Sequence, residues 1–432
     1  MATQPTIVFF PEGAYGPTNN CVGIADVLAE RGARVVFVVE ESFAGTLEAK
    51  GFEESRMRLK PAPEVEEEPG QFWKDFIRDT APEFRKTTFE QIETLTKPIW
   101  EELIDGAKYV DERLRAIFED VDPDAIVQDN VVAFPAVPAS GRPWARVMSC
   151  NPLELPDPDL PPAFSGLASN DRDGWAEFRR RYDAAHSDLH TDFDDFCRER
   201  EGPPLPDRQF MYESDYLNLY LYPKECDYQR TVEPSPTWHR LDSSVRATDE
   251  PFALPESLVG DGPIIYLSLG SLGSADVALM TRLIELLGRT SNRVIVSMGP
   301  QHDRLQLADN MVGAEFLPQT SILPLVDLVV THGGNNTVTE CFHFGKPMVV
   351  LPLFWDQYDN AQRVSELDFG VRLQSYAFED AHLYDAIDRL LKGADRRERM
   401  LGIAARLQAQ PGTQRAADLI WRLAEAKQPL HR

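Results

Sequence analysis

The alternation of short, β-branched apolar runs with helical patterns most constrains the fold. Eight such runs predict strands, four in each half of the chain. They are TIVFF (6–10), ARVVFVVE (33–40), DAIVQD (124–129), ARVMSC (145–150), PIIYLSLG (263–270), NRVIVSMG (292–299), DLVVTHG (327–333) and PMVVLP (347–352). Continuous apolar runs are typical of parallel strands covered on both faces. The sequence therefore predicts an α/β protein with two doubly wound sheets.

The domain organisation follows from the length and from one aperiodic stretch. A chain of 432 residues suffices for two or three domains. The stretch 233–258 is rich in Pro, Ser and acidic residues and has no helical or strand period. We therefore predict a first domain at 1–232, a linker at 233–258 and a second domain at 259–412. An acidic insertion occupies 61–120, and its EVEEE run is predicted to be a solvated loop.

The net charge of −26 argues against anionic partners. A surface this acidic repels phosphate backbones and anionic lipid headgroups, so no nucleic acid and no membrane partner is predicted. No run approaches the roughly 20 apolar residues that span a bilayer, and the first residues do not resemble a signal peptide. We predict a cytoplasmic protein, either a monomer or a homodimer. The five cysteines lack the spacing of a zinc or redox site.

The stretch DLVVTHGGNNTVTECFHFGKPMVVLP (327–352) carries the strongest chemical signal. An apolar strand is followed by His332, two glycines and the start of a helix near Asn336. Paired glycines let a ligand approach the backbone, and the free N–H groups of a helix N-terminus attract anions. Glu340, one turn farther on the same face, is suited to accept hydrogen bonds from two adjacent ribose hydroxyls. The pattern predicts a phosphate site, in a helix that ends at Gly345.

Four ordered motifs give the chain a family resemblance. It contains FLPQ, HGGNNTVTE, GKP and DQYDNA within residues 316–373. This order resembles the signature of the GT-B glycosyltransferases of the UDP-glycosyltransferase superfamily (family 1), especially the bacterial natural-product enzymes. The resemblance implies two doubly wound Rossmann-like domains facing across a cleft, the first binding the acceptor and the second the sugar donor. It also implies that a final helix, within 413–432, packs back on the first domain.

The resemblance assigns a role to each matching donor-site residue. Phe316 stands where a tryptophan usually stacks on the nucleobase, His332 contacts the diphosphate, and Glu340 binds the ribose. Asp356 and Gln357 match the pair that hydrogen-bonds the sugar hydroxyls, which favours glucose over a deoxysugar. The other matching donor-site residues are Ser268, Ser271, Gln319, Gly334, Asn336 and Thr337.

The loop PEGAYGPTNN (11–20) departs from the family pattern. Family members read G-H-x-N-P here, and the histidine is the general base on the acceptor. An alignment without gaps places Gly16 on the glycine and Pro17 on the histidine, so the base is missing. Asp129 matches the aspartate that holds the imidazole, and Asn20 is suited to cap the following helix. The predicted acceptor-site residues are Tyr15, Gly16, Pro17 and Asn19.

Three explanations for the missing base stay open. In the first, Asp129, Glu12 or Asp26 deprotonates the acceptor, which requires a raised carboxyl pKa or a bridging water. In the second, the acceptor is a phenol or carboxylate that needs little base catalysis. In the third, the protein binds a nucleotide sugar without transferring it, as an auxiliary protein.

The predicted function is therefore an inverting, metal-independent glycosyl transfer. A hexose would move from a UDP-sugar or TDP-sugar to a hydroxyl of a small-molecule natural product or xenobiotic, and glucose is the favoured hexose. His332 and the adjacent helix would stabilise the departing diphosphate. A GT-B-like sugar-nucleotide epimerase is the alternative from another reaction class. No metal or organic cofactor is predicted, since His186 and His190, four residues apart, lack the HExxH arrangement.

Overall fold

The computed structural model describes residues 4–62, 79–246 and 250–432, without the side chains of residues 271 and 272. The predicted EVEEE loop and the aromatic residues that follow it lie outside the described residues. The described chain forms two parallel sheets, each flanked by helices, and the four predicted runs of each half all contain a strand. The prediction of two Rossmann-like α/β domains is confirmed.

The first sheet contains seven strands, all parallel to their neighbours. They are β1 (Thr6–Pro11), β2 (Arg34–Glu40), β3 (Glu53–Met57), β4 (Ala125–Asp129), β5 (Trp144–Met148), β6 (Leu217–Tyr220) and β7 (Trp238–Arg240). Their spatial order is β3-β2-β1-β4-β5-β6-β7, so the winding reverses between β1 and β4. Ligands of open α/β sheets bind beyond the carboxyl ends of the strands at such a reversal.

The second sheet contains six parallel strands. They are β8 (Ile264–Ser268), β9 (Arg293–Ser297), β10 (Met311–Ala314), β11 (Leu328–Thr331), β12 (Met348–Val350) and β13 (Gly370–Arg372). Their order is β10-β9-β8-β11-β12-β13, with the reversal between β8 and β11. The predicted phosphate motif thus follows the strand at the reversal of the second sheet.

Thirteen α-helices are assigned among the described residues. They are α1 (Tyr15–Glu30), α2 (Thr88–Gln91), α3 (Lys97–Val121), α4 (Ala136–Ala139), α5 (Arg172–Glu199), α6 (Gly270–Gly273), α7 (Val277–Gly288), α8 (Gln319–Ile322), α9 (Asn335–Phe344), α10 (Gln357–Glu366), α11 (Asp380–Lys392), α12 (Ala394–Ala409) and α13 (Gly412–Ala426). Residues Ile92–Thr96 form a π-helical turn before α3. No helix among the described residues is long and apolar enough to cross a membrane.

Five strands were not predicted, namely β3, β6, β7, β10 and β13. Four of them lie at sheet edges, where a strand has one partner and needs no continuous apolar run. The sequence of β3 is EESRM, and its first residue is exposed. β7 lies inside the stretch predicted to be a linker, because Trp238 and its neighbours pair with β6.

The first helix begins earlier than predicted. Ala14 is the N-cap residue, so Tyr15, Gly16 and Pro17 form the first turn of α1 instead of a loop. Pro17 is tolerated there because the first N–H groups of a helix have no intrahelical partner. The prediction that Asn20 caps the helix is wrong, since Asn20 lies within α1 and is buried.

Helices cover both faces of the first sheet. On one face, α1 and α13 pack against each other and bury Ile24, Leu28 and Ile420 with the side chains of β1. On the other face, α3 buries Trp100 and Val110 against the sheet. The chain therefore returns from the second domain to the first through its last helix.

Candidate active site

A cavity of about 380 Å³ lies between the two domains. Most of its wall consists of residues at or just after the carboxyl ends of strands in both sheets. The predicted site residues on this wall are Glu12, Tyr15, Gly16, Pro17, Asn19, Ser268, Phe316, Gln319, His332, Gly334, Asn336, Thr337, Glu340, Asp356 and Gln357. Asp129 is buried behind the wall and contacts Ser149, which belongs to it. Ser271 lies in α6, and its side chain is outside the described residues.

His332 follows β11 and is enclosed by two glycines. A Cβ atom on Gly270 would lie 2.7 Å from His332 Cε1, and one on Gly334 would lie 2.7 Å from Nε2. The imidazole therefore occupies a slot that only glycine leaves open. Desolvation lowers the pKa of His332 to about 4, so the ring is neutral at physiological pH. Its Nδ1 lies 3.3 Å from Thr331 Oγ1.

The N-terminus of α9 opens directly onto the cavity. Gly334 is its N-cap residue, and no side chain caps its first turn. Asn336 Nδ2 donates to the Gly16 carbonyl at 2.8 Å, and Asn20 Nδ2 donates to Asn336 Oδ1 at 2.7 Å. The predicted phosphate-binding helix is thus held by the first turns of α1, from the other domain. Free N–H groups at this end make it a suitable anion site.

Glu340 is buried on the next turn of α9, and both of its carboxylate oxygens are engaged. Gln319 Nε2 donates to Oε2 at 2.6 Å, and Arg246 Nη1 donates to Oε1 at 3.0 Å. Arg246 comes from the stretch predicted to be a linker, and it also lies on the cavity wall. A ribose that binds Glu340 must share or displace these two donors.

The DQYDNA motif connects the two domains as well as facing the cavity. Asp356 Oδ2 accepts a hydrogen bond from the main-chain N–H of Asn151 at 2.8 Å, and burial raises the pKa of Asp356 to about 8. Gln357 Oε1 accepts from the N–H groups of Leu353 and Phe354, at 3.0 and 3.3 Å. The Gln357 oxygen therefore binds the backbone, and its amide nitrogen donates no hydrogen bond to the described residues.

Two aromatic residues meet across the mouth of the cavity. Phe316 follows β10 and is 50% exposed, and its ring centroid lies 6.1 Å from that of Tyr15. An exposed aromatic face beside a phosphate site is suited to stack on a nucleobase. Tyr15 belongs to the predicted acceptor site, so the two predicted sites share one border.

Buried carboxyl groups collect at the end of β1 and β4. Desolvation raises the pKa of Glu12 to about 8 and that of Asp129 to about 7. Asp129 Oδ1 accepts a hydrogen bond from Ser149 Oγ at 2.8 Å. Asp26, the third candidate, lies farther along α1 and does not belong to the cavity wall. The structure thus brings Glu12, but not Asp26, to the site.

Comparisons with known proteins agree with this geometry. A family model described as UDP-glucoronosyl and UDP-glucosyl transferase matches residues 254–413. The chain is 23% identical over 414 residues to the NDP-glycosyltransferase YjiC of Bacillus subtilis (strain 168), and the alignment covers 94% of this chain and 93% of that protein. The protein is a glycosyltransferase whose second domain matches the UDP-glucoronosyl and UDP-glucosyl transferase family.

Solved glycosyltransferases share the GT-B fold of this protein. The glycotransferase of kitacinnamycin superposes with a TM-score of 0.70 and 20% identity, covering 98% of this chain and 99% of that one. The calicheamicin glycosyltransferase gives a TM-score of 0.68 and 20% identity, covering 99% of this chain and 100% of the other. The whole chain therefore follows the GT-B arrangement of two domains.

Sequence reasoning missed several residues on the cavity wall of this glycosyltransferase, among them Ser149, Arg246 and Trp355. Ser149 follows β5 at the same sheet edge as Asp129, so the carboxyl-end rule could have indicated it. Arg246 carried no signal, because it lies in an aperiodic stretch. Trp355 has a positive φ of 57°, an unfavourable conformation for a bulky residue that is often found at functional sites.

A second cavity, of about 480 Å³, lies in the first domain beside the site. Val131 borders both cavities. Trp100 lines the second cavity. Its ring packs on that of Trp355, which lines the first cavity, with centroids 5.0 Å apart. Phe164 adds a further aromatic surface, 4.3 Å from Trp355.

The histidine pair of α5 has structural contacts. His186 Nδ1 lies 2.8 Å from the Tyr182 carbonyl, and His190 Nε2 lies 3.0 Å from the Pro206 carbonyl. Within the described parts of the chain, no three His, Cys, Asp or Glu side chains are grouped so that they could hold a metal ion.

Proposed function

We propose that this glycosyltransferase moves a hexose, glucose in the first instance, from a UDP-sugar or TDP-sugar to a hydroxyl of a small-molecule natural product or xenobiotic. One observation carries the proposal. A single cavity joins a helix N-terminus suited to anions in the second domain to the side chains of Tyr15, Ile99 and Leu103 in the first. The second domain would hold the donor, and the first would hold the acceptor.

The donor side supports a nucleotide sugar. The N-terminus of α9 and the His332 imidazole are suited to hold the diphosphate, and Glu340 lies one turn away for the ribose. Arg246 lies on the same wall, where its guanidinium group pairs with Glu340. Gln357, whose amide nitrogen faces no acceptor among the described residues, is suited to a sugar hydroxyl.

The acceptor side supports a compound with an extended apolar surface. Ile99 and Leu103 of the first domain line the shared cavity, and Phe354 and Trp355 of the second domain complete this apolar surface. The adjoining second cavity, past Val131, adds the aromatic side chains of Trp100 and Phe164 beside charged residues. A flat or aromatic acceptor would bury its surface there and present one hydroxyl towards the donor.

The proposed reaction inverts the configuration at the sugar carbon. The acceptor oxygen attacks C1 from the side of the first domain, while the bond from C1 to the diphosphate oxygen breaks. The electron pair leaves with the nucleoside diphosphate, whose charge is stabilised by the α9 N-terminus and His332. We propose that these groups suffice for the transfer without a metal ion.

The test is mass-spectrometric detection of hexosylated product from UDP-glucose or TDP-glucose and a panel of acceptors, from aliphatic alcohols to acidic phenols. Product is expected with the wild type, and His332→Asn should lower kcat by about 10²-fold. The exposed His431→Asn serves as the matched control and should match the wild type. Nucleoside diphosphate released equally without acceptor, or no product from any acceptor, would overturn the proposal.

A further inference from the structure

Three carboxylate side chains converge at the carboxyl edge of the first sheet. Glu12 directly follows β1, Glu40 ends β2 and Asp129 ends β4, and β1 pairs with both of the other strands. The Glu40 carboxylate lies against Gly13, where a Cβ atom would be only 2.7 Å from Glu40 Oε2. The strand order thus places Glu12 between two other acidic groups.

Glu12 is the member of this group that reaches the cavity. Its side chain is 93% buried on the wall, since only 7% of its surface is exposed. Its Oε2 atom has no hydrogen-bond partner among the described residues. Asp129 Oδ2 also lacks a partner, but Asp129 does not belong to the wall, and its Oδ1 is bound by Ser149. An unpartnered buried oxygen on a ligand cavity is suited to receive a polar group of the ligand.

We propose that the Glu12 carboxylate is the general base that accepts the proton of the acceptor hydroxyl. This inference rests on the proposed function. The O–H bond of the acceptor breaks as its oxygen bonds to the sugar C1, and the proton passes to Glu12. The nucleoside diphosphate leaves with the electron pair of the broken C1–O bond. After product release, Glu12 returns its proton to water.

The surroundings of Glu12 match this task. Burial, together with the charges of Glu40 and Asp129, raises the pKa of Glu12 to about 8, against the opposing effect of the Gly13 and Val131 N–H groups. A base with a pKa near the working pH removes a hydroxyl proton more readily than an ordinary carboxylate does. Further titratable or charged groups on the same wall are Cys150, Arg246, Glu315, His332, Glu340 and Asp356.

The raised pKa of Glu12 predicts how the rate of transfer depends on pH. Since a raised pKa keeps Glu12 protonated at low pH, its basic form increases as the pH rises through about 8. We expect kcat/KM with an aliphatic alcohol to rise over the same range and then level off. An acidic phenol, already partly ionised there, should depend less on Glu12.

The experiment compares the wild type with Glu12→Gln, Glu40→Gln and Asp129→Asn from about pH 6 to about 9.5, using UDP-glucose with an aliphatic alcohol and with an acidic phenol. Glu12→Gln should lower kcat for the alcohol by about 10²–10³-fold and abolish the rise with pH. The loss with the phenol should be much smaller. UDP binding by calorimetry should stay unchanged and so verify the fold of each variant.

Glu40→Gln leaves Glu12 in place and tests the same assignment if Glu12→Gln does not fold. Removing the charge of Glu40 lowers the pKa of Glu12, so the midpoint of the pH profile should move to lower pH. Wild-type transfer that persists in Glu12→Gln with the same profile overturns the inference and leaves the proposed function standing. Loss of the rise in Asp129→Asn, with Glu12→Gln unaffected, would assign the base to Asp129. No transfer by the wild type would overturn both proposals.

Discussion

The His332 ring lies between two residues that have no side chain. Gly270 and Gly334 leave the slot for the imidazole, and the same desolvation that lowers the pKa of His332 to about 4 keeps it neutral. Protonation of His332 therefore lies below the pH range of an ordinary assay. A pH profile measured above pH 6 reports other groups, and on the wall these include Glu12 and Asp356, each with a pKa raised to about 8.

The narrow space around the His332 imidazole leads to a prediction for Gly270→Ala. The new Cβ atom would overlap the imidazole at 2.7 Å, and the φ of 71° adds strain for any residue with a Cβ. We expect kcat/KM for transfer to fall by about 10–10²-fold, with destabilisation of about 1–2 kcal/mol.

The variant Gly141→Ala distinguishes backbone strain from overlap with the imidazole as the cause of the activity loss. Gly141 has a similar φ of 66°, but nothing lies within 4 Å of the position of its Cβ atom. It should lose a similar amount of stability in urea denaturation and keep its transfer rate. Equal activity loss in both variants would show that backbone strain, and not the imidazole, is responsible.

At the scale of elements, α13 secures the first domain. It follows α12 of the second domain, yet it buries Ile420 and Leu423 with the apolar side chains of α1 and β1. Arg31, the C-cap residue of α1, also pairs with Asp418 at 2.7 Å, although this pair is partly exposed and adds little. The apolar contacts therefore account for the attachment.

This packing predicts that Ile420→Ala destabilises the protein by about 2–4 kcal/mol, because it removes a fully buried side chain and leaves a cavity. Leu401→Ala in α12 is the matched control, since Leu401 is 51% exposed. It should cost well under 1 kcal/mol. Urea denaturation followed by circular dichroism measures both, and equal losses would contradict the role of α13 in the core.

At the scale of the molecule, α10 of the second domain is bound by a loop of the first. Asp359 accepts hydrogen bonds from the main-chain N–H groups of Phe164 and Gly166, at 2.6 and 2.8 Å. Asn151 Nδ2 donates to Asn360 Oδ1 at 2.8 Å. These contacts are buried, so they help to set how closely the two domains approach each other across the cavity.

Asp359→Ala should weaken this domain contact. It leaves two buried N–H groups without their acceptor, which costs about 2–4 kcal/mol. We expect a lower melting temperature, a broader or split calorimetric transition, and a higher KM for the acceptor. Asp388→Ala is the control, because Asp388 is exposed and pairs with Lys392 of the same helix. A single unshifted transition for Asp359→Ala would contradict the prediction.

Because the molecule is acidic as a whole, binding of the donor must depend on groups close to the site. With a net charge of −26, the average surface repels a nucleoside diphosphate. The uncapped N-terminus of α9 opposes this repulsion at the cavity, whereas the charge of Arg246 is paired with that of Glu340. Binding of the donor is therefore expected to depend on these short-range contacts and to tolerate salt better than a purely charge-driven association.

The sequence by itself determined the features that depend on residues close together in the chain. The apolar runs specified eight central strands, because a strand covered on both faces must be apolar throughout. The HGGNNTVTE segment specified a helix behind paired glycines, ending at Gly345 with a φ of 68°. These features depend on local backbone geometry, which contiguous residues carry.

The tertiary structure decided what depends on partners far apart in the chain. Edge strands such as β3 and β7 acquire their pairing from a neighbour, so their own residues need show no apolar run. Arg246 reaches Glu340 across 94 positions, and Glu12 acquires its raised pKa from burial and from Glu40 and Asp129. Burial and charge at a site are sums over the surrounding elements, and only the folded arrangement of those elements determines them.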